Sequence, residues 1–324
     1  MTTETTVTPS RPGGGSPKAV WRIVLAVAIT AILLAVLVHH GDLTRYAEVL
    51  GRAEPGSLFL GAVMMLAVAI IRAWRVALAL GRQTSWLIIR IIALFQFVSA
   101  IAPMRLGEVV LPILLKRARI TTFVSGAVIL VALRLLDLAF ILLFSGLGAF
   151  LIYLSDPDNR WISHLGAFVM AGGLIIVLAL PIAARLAGHL HIAEVGGLRV
   201  RRWLSTILEA SRALAESTRY AWLLVSSALL QVVMLAMIHF CASAVNATPG
   251  VAETAVAGGA GMLAFALPIN GVAGAGPLEA AWTYVMELQG VPWEEAFIAA
   301  ILWHAVSLVM TTVMAGCAVI ASPH

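Results

Sequence analysis

Long apolar runs separated by short polar segments occupy the chain from residue 20 almost to its end. Most of them approach or exceed the roughly 20 residues that a helix needs to cross a bilayer. The runs that we interpret as full spans are residues 20–38, 58–71, 123–154, 165–184, 220–242 and 296–320. The pattern therefore predicts an all-α polytopic integral membrane protein with about six full spans.

Two further apolar segments are interrupted by proline or glycine. Residues 86–102 end at Pro103, and the next apolar piece, 106–115, would rise only about 15 Å as a helix. Residues 251–268 lead into the sequence LPINGVAGAGPLEAAW at 267–282, whose glycines permit tight turns. We predict two re-entrant hairpins, with two conventional spans as the alternative for the first.

The two interrupted segments introduce two similar halves of the chain. Without gaps, the sequence that begins at Arg119 aligns with the one that begins at Gln289, so that Arg134 matches His304. A glutamate precedes each of these basic residues at nearly the same distance. Because the two copies are predicted to enter the membrane from opposite faces, residues 87–154 and 251–320 are expected to form an inverted repeat.

Composition supports a membrane location and excludes several other classes of protein. The chain is 61% hydrophobic and 11% charged, whereas soluble domains carry about 25% charged residues. The net charge of +5 comes mostly from basic residues at the ends of apolar runs, where they set topology, so we predict no nucleic-acid partner. Nucleotide-binding, metalloprotease and hydrolase motifs are absent from the sequence. We therefore expect no enzyme activity, no cofactor and no metal site.

The polar segments predict the topology. Residues 1–19 are rich in Thr, Pro, Gly and Ser and are predicted to form a disordered cytoplasmic tail. Residues 20–324 would form a single transmembrane domain with both termini in the cytoplasm. Residues 39–56 and 155–164 are predicted to be outer loops, and residues 185–219 a basic, amphipathic cytoplasmic interfacial segment. The run 123–154 is too long for an upright span, so we expect tilt, a break or an extra turn.

Charged residues inside apolar runs are the candidate functional groups, because charge at membrane depth is costly unless it is paired or faces a cavity. Arg105 and Glu108 are three residues apart, as are Arg134 and Asp137, so each pair can form an ion pair on one helix face. The complete set of candidate substrate-binding residues is Arg72, Arg75, Arg105, Glu108, Arg134, Asp137, Glu279 and His304.

These residues allow more than one role. The arginines could bind an anionic lipid headgroup, because guanidinium matches phosphate in a bidentate manner, or could form neutralised structural pairs. Arg72 and Arg75 could instead anchor a helix end at the headgroups. The glutamates could orient the arginines or receive a coupling proton, and His304 could titrate near neutral pH or simply pack.

Four motifs together resemble the flippase-like transmembrane domain of lysylphosphatidylglycerol synthases. They are R-x-W-R at 72–75, R-L-G-E at 105–108, L-R-L-L-D at 133–137 and L-P-I-x-G-x-x-G-x-G-x-x-E at 267–279. The resemblance covers about residues 20–320 and implies a multi-span inner-membrane protein, with re-entrant hairpins, that handles lipids with polar headgroups. This chain departs from the pattern at His304, where arginine is common, and at Pro277. The sequence shows no soluble synthase domain, so we do not expect lysyl transfer.

Three functional hypotheses follow. The first is a lipid translocase of the plasma membrane that moves phospholipids or polyprenyl-phosphate-type lipids with anionic or sugar-phosphate headgroups. The second is a non-transporting scaffold or accessory subunit for a lipid-modifying or glycosyl-transfer enzyme of the envelope. The third is an intramembrane transferase that uses Glu108 or Glu279 as its base. A homo-oligomer is compatible with each hypothesis.

Overall fold

The computed structural model describes residues 42–102, 107–155, 160–187, 198–247, 249–267 and 272–321, together with the isolated positions 28, 31 and 35. The predicted tail 1–19 lies outside these residues, as does the predicted first span 20–38 apart from three helical alanines. Every secondary-structure element in the described ranges is helical. The predicted all-α fold is confirmed.

The described chain forms eleven α-helices and two single 3₁₀ turns. The α-helices are α1 (Leu43–Gly51), α2 (Pro55–Ala79), α3 (Trp86–Ile101), α4 (Val110–Arg117), α5 (Phe123–Ser155), α6 (Arg160–Ala187), α7 (Leu198–Leu214), α8 (Ser217–Ser243), α9 (Val251–Phe265), α10 (Pro277–Leu288) and α11 (Trp293–Ile320). The 3₁₀ turns cover residues 107–109, before α4, and Val272–Gly274, before α10.

Five of the described helices are long and apolar enough to cross a membrane: α2, α5, α6, α8 and α11. The helices α3 and α9 are apolar too, but their 16 and 15 residues would rise only about 24 Å and 22 Å. Both are thus shorter than the roughly 30 Å of hydrocarbon in a bilayer. These lengths are those expected of the first arms of two hairpins.

The two halves contain equivalent elements in the same order. Each has a short apolar helix, a 3₁₀ turn, a second short helix and a long helix, namely α3, α4 and α5 in the first half and α9, α10 and α11 in the second. The long helices begin at Phe123 and Trp293, which the ungapped alignment places opposite each other. Arg134 and His304 are each the twelfth residue of their long helix.

The halves pack against each other reciprocally. The first short helix of each half contacts the long helix of the other, α3 against α11 and α9 against α5. At the α5–α9 crossing, the Ser145 hydroxyl donates to the carbonyl of Ala255 at 3.2 Å. The nearby Gly259 allows this approach, since a Cβ there would lie 1.7 Å from the Ser145 Oγ. At the α3–α11 crossing, Arg90 Nε donates to the Ala318 carbonyl at 3.0 Å.

The helix α6 packs along α5 and contains a proline in its interior. Pro181 has no N–H, which releases the carbonyl of Val177 from its usual helical hydrogen bond. The Tyr220 hydroxyl, at the start of α8, donates to that carbonyl at 2.5 Å. A tyrosine from a neighbouring helix therefore satisfies the acceptor that the proline exposes.

Two local predictions are wrong. Residues 39–56 were predicted to form a loop, but α1 occupies 43–51 because Asp42 caps its first turn and Tyr46 is buried against α11. The predicted loop 155–164 is shorter, since α6 begins at Arg160. Of the three alternatives for the run 123–154, the structure excludes a break, since the run forms one helix. The segment 185–219 does contain a helix, α7, as its amphipathic pattern indicates; its cytoplasmic location stays a prediction.

Candidate functional site

A cavity of about 230 Å³ lies between the two halves. Its walls come from α2, α3, α5, α8, α9 and α11, together with the Val272–Gly274 turn and the start of α10. The first half contributes Arg134 and Asp137 to the lining, and the second half contributes His304. Apolar side chains such as Phe95 and Trp303 form much of the remaining wall. The cavity thus combines charged groups with a largely apolar surface.

Asp137 connects two arginines in the first half of the site. Its Oδ1 lies 2.5 Å from NH1 of Arg75, and its Oδ2 lies 3.6 Å from NH1 of Arg134. The predicted ion pair between Arg134 and Asp137 is therefore present. Arg75 also donates to the carbonyl of Leu133 at 3.4 Å. With 2% of its side chain exposed, Arg75 holds Asp137 in place from within the protein.

Glu108 binds Arg134 through both carboxylate oxygens. The distance from Arg134 NH2 to Glu108 Oε1 is 3.2 Å, and that from Arg134 Nε to Glu108 Oε2 is 3.3 Å. Such a forked pair fixes the plane of the guanidinium as well as its position. The 3₁₀ turn at residues 107–109 brings Glu108 next to α5. Gly107 allows this turn to pack against α3, since a Cβ at residue 107 would lie 2.5 Å from the Cα of Ser99.

Arg72 differs from the other two arginines of the cluster. Its NH1 donates to the neutral amide oxygen of Gln96 at 2.8 Å, and no described carboxylate lies within ion-pair distance of it. Among the described residues, three guanidinium groups thus face two carboxylates, and the cluster carries an excess of one positive charge. Arg72 lines the cavity, so the excess charge is at the cavity wall.

Two buried donors beside Arg72 lack partners within the described part of the chain. The amide nitrogen of Gln96 and the hydroxyl of Ser99 make no hydrogen bond there, although both side chains line the cavity and Gln96 is only 4% exposed. Leaving such groups unsatisfied costs about 1–3 kcal/mol each. Both residues belong to the cavity lining, so these donors make this wall a candidate position for a hydrogen-bond acceptor.

The second half of the site contains one buried acid and one histidine. Glu279 has no exposed surface; its Oε2 accepts from the Gly276 N–H at 2.7 Å, and its Oε1 contacts Nδ1 of His304. The other ring nitrogen of His304 lies 3.0 Å from the carbonyl oxygen of Ala273. Only the histidine of this pair lines the cavity. Glu279 is therefore separated from the cavity by His304.

The same type of contact recurs in both halves. Glu108 pairs with Arg134 across 26 residues, and Glu279 pairs with His304 across 25. Glu108 lies in the turn before α4, and Glu279 lies in the first turn of α10. Each contacts the basic side chain at the twelfth position of the following long helix. The ungapped alignment matches Arg134 with His304, and a glutamate precedes each at nearly the same distance, but the spacing alone did not predict that each glutamate contacts its basic residue.

The structure brings most of the predicted site residues together. Arg72, Arg134, Asp137 and His304 line one cavity, and Glu108 and Glu279 bind two of them. Arg105 lies outside the described residues. Arg75 is buried against Asp137 and does not line this cavity, and its predicted role at a headgroup or as a helix anchor stays a prediction. Gln96 and Ser99 were not predicted, because neutral polar residues in an apolar run give no distinct signal.

No group of metal-ligating side chains is present in the described ranges. The absence of a metal or cofactor in the whole protein stays a prediction, as do the absence of enzyme activity and the partners.

A helical membrane protein with a polar cavity between two similar halves is the class that this fold and site define. A family model described as "Lysylphosphatidylglycerol synthase TM region" matches residues 23–315, and the chain belongs to this family. The resemblance seen in the four sequence motifs is thereby confirmed. No significant match was found among curated proteins or among solved structures.

Proposed function

We propose that the protein is a lipid translocase of the plasma membrane that carries an anionic or sugar-phosphate headgroup through the cavity between its halves. The observation that carries this proposal is the cavity wall where Arg72, which has no ion-pair partner among the described residues, lies with the unsatisfied donors of Gln96 and Ser99. A phosphate oxygen accepts hydrogen bonds from a guanidinium, an amide and a hydroxyl, and its charge balances the excess positive charge of the cluster. The acyl or polyprenyl tail would stay in the bilayer.

The arrangement of the halves supports alternating access. The equivalent order of elements and the reciprocal packing of α3 on α11 and of α9 on α5 are features expected of an inverted repeat. In such a repeat the site lies near the membrane midplane, and rocking of one half against the other exposes it to each face in turn. The cavity borders both halves, as this mechanism requires.

Reconstitution into liposomes with a fluorescent phosphodiester lipid tests the proposal. The protein is expected to accelerate movement of this lipid between leaflets, and Arg72→Ala to reduce the initial rate about 10–100-fold, the equivalent of one hydrogen bond to a charged group. Arg72→Lys should retain part of the rate, because it keeps the charge but loses the planar fork. A matched control is Arg52→Ala directly after α1, which removes an exposed arginine that pairs with Glu48.

Two results would contradict the proposal. Wild-type protein that moves no labelled lipid would exclude translocation of that lipid class, and retained binding in such a protein would favour the scaffold hypothesis. An Arg72→Ala rate equal to that of wild type would show that Arg72 does not bind the headgroup. Turnover of a lipid-linked donor would instead support the transferase hypothesis.

A further inference from the structure

The contacts of His304 fix the number of protons that it shares with Glu279. A carbonyl oxygen only accepts hydrogen bonds, so the ring nitrogen that faces Ala273 at 3.0 Å must carry a proton. The other ring nitrogen faces Glu279 Oε1. One further proton must lie between these two atoms, either on the ring or on the carboxyl group. In both cases the pair as a whole is neutral.

Loss of that shared proton would break one of the two contacts. A neutral imidazole has a single N–H, whereas an ionised Glu279 and the Ala273 carbonyl are both acceptors. His304 could then donate to one of them only. Because Glu279 has no exposed surface, the resulting net negative charge would also be buried, which is costly in a medium of low dielectric constant. The proton is therefore an integral part of this arrangement.

The same contacts hold the turn before α10 in an unusual backbone conformation. Ala273 has φ = 54°, in the left-handed region that residues other than glycine seldom adopt, and Gly276 has φ = 124°. His304 binds the carbonyl of Ala273, and Glu279 binds the N–H of Gly276. Deprotonation that released the Ala273 carbonyl would therefore free a strained turn that forms part of the cavity wall.

We propose that Glu279 and His304 form a proton-binding site that couples proton movement to movement of the anionic headgroup; this inference rests on the proposed function. The proton comes from water and returns to it, and no other reactant is needed. When the pair is neutral, the anion meets only the excess positive charge of the arginine cluster. When the pair has lost its proton, its net negative charge lies directly behind the cavity wall that His304 forms and opposes the anion. Proton and anion thus bind cooperatively, and by linkage each raises the affinity for the other.

The surrounding charges are consistent with this assignment. Three charged side chains line the cavity with His304, and they are Arg72 on α2 and Arg134 and Asp137 on α5. None of the other described charged or titratable groups on helices packed against α11 lines the cavity. Among them are Arg45, which pairs with Glu294, Arg75 with Asp137, Arg90 with the Ala318 carbonyl, His239 with Thr254, and Tyr46, Glu48, Arg219, Tyr220, Cys241, Tyr284 and Glu287. His304 is thus the described histidine that lines the cavity.

Proteoliposomes with an imposed pH gradient test the coupling. The probe is a fluorescent phosphodiester lipid, whose own charge does not titrate near neutral pH. Because proton and anion would cross together, the lipid is expected to accumulate in the leaflet on the alkaline side. In His304→Gln the distribution should not respond to the gradient, whatever its absolute rate. His239→Gln, which alters a membrane histidine outside the cavity, should respond as wild type does.

Proton uptake in detergent provides a second measurement that does not depend on transport by the variants. On the alkaline side of its titration, wild-type protein should take up about one proton per bound lipid, and its affinity should fall up to about tenfold per pH unit. Glu279→Gln should take up none. Wild-type protein that moves no lipid would overturn the proposed function. Wild-type protein that moves lipid without responding to the gradient, or binds it without proton uptake, would overturn the proton site alone.

Discussion

Asp137→Asn is the substitution that tests the ion-pair network most directly. It removes the negative charge that faces the buried Arg75 at 2.5 Å and leaves that arginine with the Leu133 carbonyl at 3.4 Å as its other described partner. Breaking a buried pair by removing one partner costs about 3–5 kcal/mol, because the remaining charge is uncompensated. Arg134 would lose less, since 34% of its side chain is exposed and it keeps Glu108.

Thermal unfolding of the detergent-purified protein, followed by size-exclusion chromatography, measures the effect. We expect Tm to fall by on the order of 10 °C for Asp137→Asn, given about 2–4 °C per kcal/mol for a domain somewhat smaller than this chain. The matched control is Glu108→Gln, which removes one carboxylate charge from the half-exposed Arg134 and should cost clearly less. The double variant Arg75→Met, Asp137→Leu should recover most of the loss, because apolar residues can replace a buried ion pair at little cost.

Two outcomes would refute this reasoning. One is an Asp137→Asn protein as stable as wild type, which would mean that water or another group already compensates Arg75. The other is a double variant as unstable as the sum of both single variants, which would mean that the two side chains are not energetically coupled. Either result would remove the assignment of Arg75 as the residue that positions Asp137.

The remaining predictions concern the scaffold around the site. Gly146→Leu should destabilise the protein by about 1–3 kcal/mol or more, because a Cβ at this position would lie 2.6 Å from a carbonyl oxygen of α6 and would force α5 and α6 apart. The control Gly316→Leu should keep the wild-type Tm, because no atom lies within 4 Å of a Cβ there. Tyr220→Phe should cost about 1–3 kcal/mol in the same assay, because the carbonyl exposed by Pro181 loses its donor. The hydrogen bonds from Thr44 lower the pKa of Asp42, so the Asp42 cap stabilises α1 above the ordinary carboxyl pKa, and this stabilisation is lost as the pH falls. Hydrogen exchange of the amides of residues 43–51 should therefore show less protection on acidification. In Asp42→Asn, the protection of these amides should not change with the titration of that carboxyl group.

The sequence predicted the spans and the charged residues, because both depend on local patterns. Hydrocarbon length limits where a helix can cross, so apolar runs mark α2, α5, α6, α8 and α11. The balanced charges around α1 resembled a loop, and its capping residue Asp42 was the signal that was missed. The positions of α1 and the start of α6 show that polar segments next to a membrane also form helices when they can bury an apolar face.

The partners within the site could not be predicted, because they depend on how distant helices pack. Spacing of three residues predicted the contact between Arg134 and Asp137, which lies within one helix. The contact from Arg75 to Asp137 spans 62 residues and requires α2 to pack beside α5. Gln96 and Ser99 gave no signal at all, since one amide and one hydroxyl in an apolar helix become significant only when they face a cavity.

The proposed mechanism depends more on a difference between the two halves than on their similarity. Arg134 keeps its charge at any physiological pH, so the pair that it makes with Glu108 is a fixed part of the wall. His304 occupies the equivalent place, but an imidazole gains and loses its charge in the physiological range. A site built from two identical pairs would bind an anion equally well in every state. Under the proposed function, a histidine in place of one arginine would make anion binding depend on a proton, and this dependence would give transport through the two similar halves its direction.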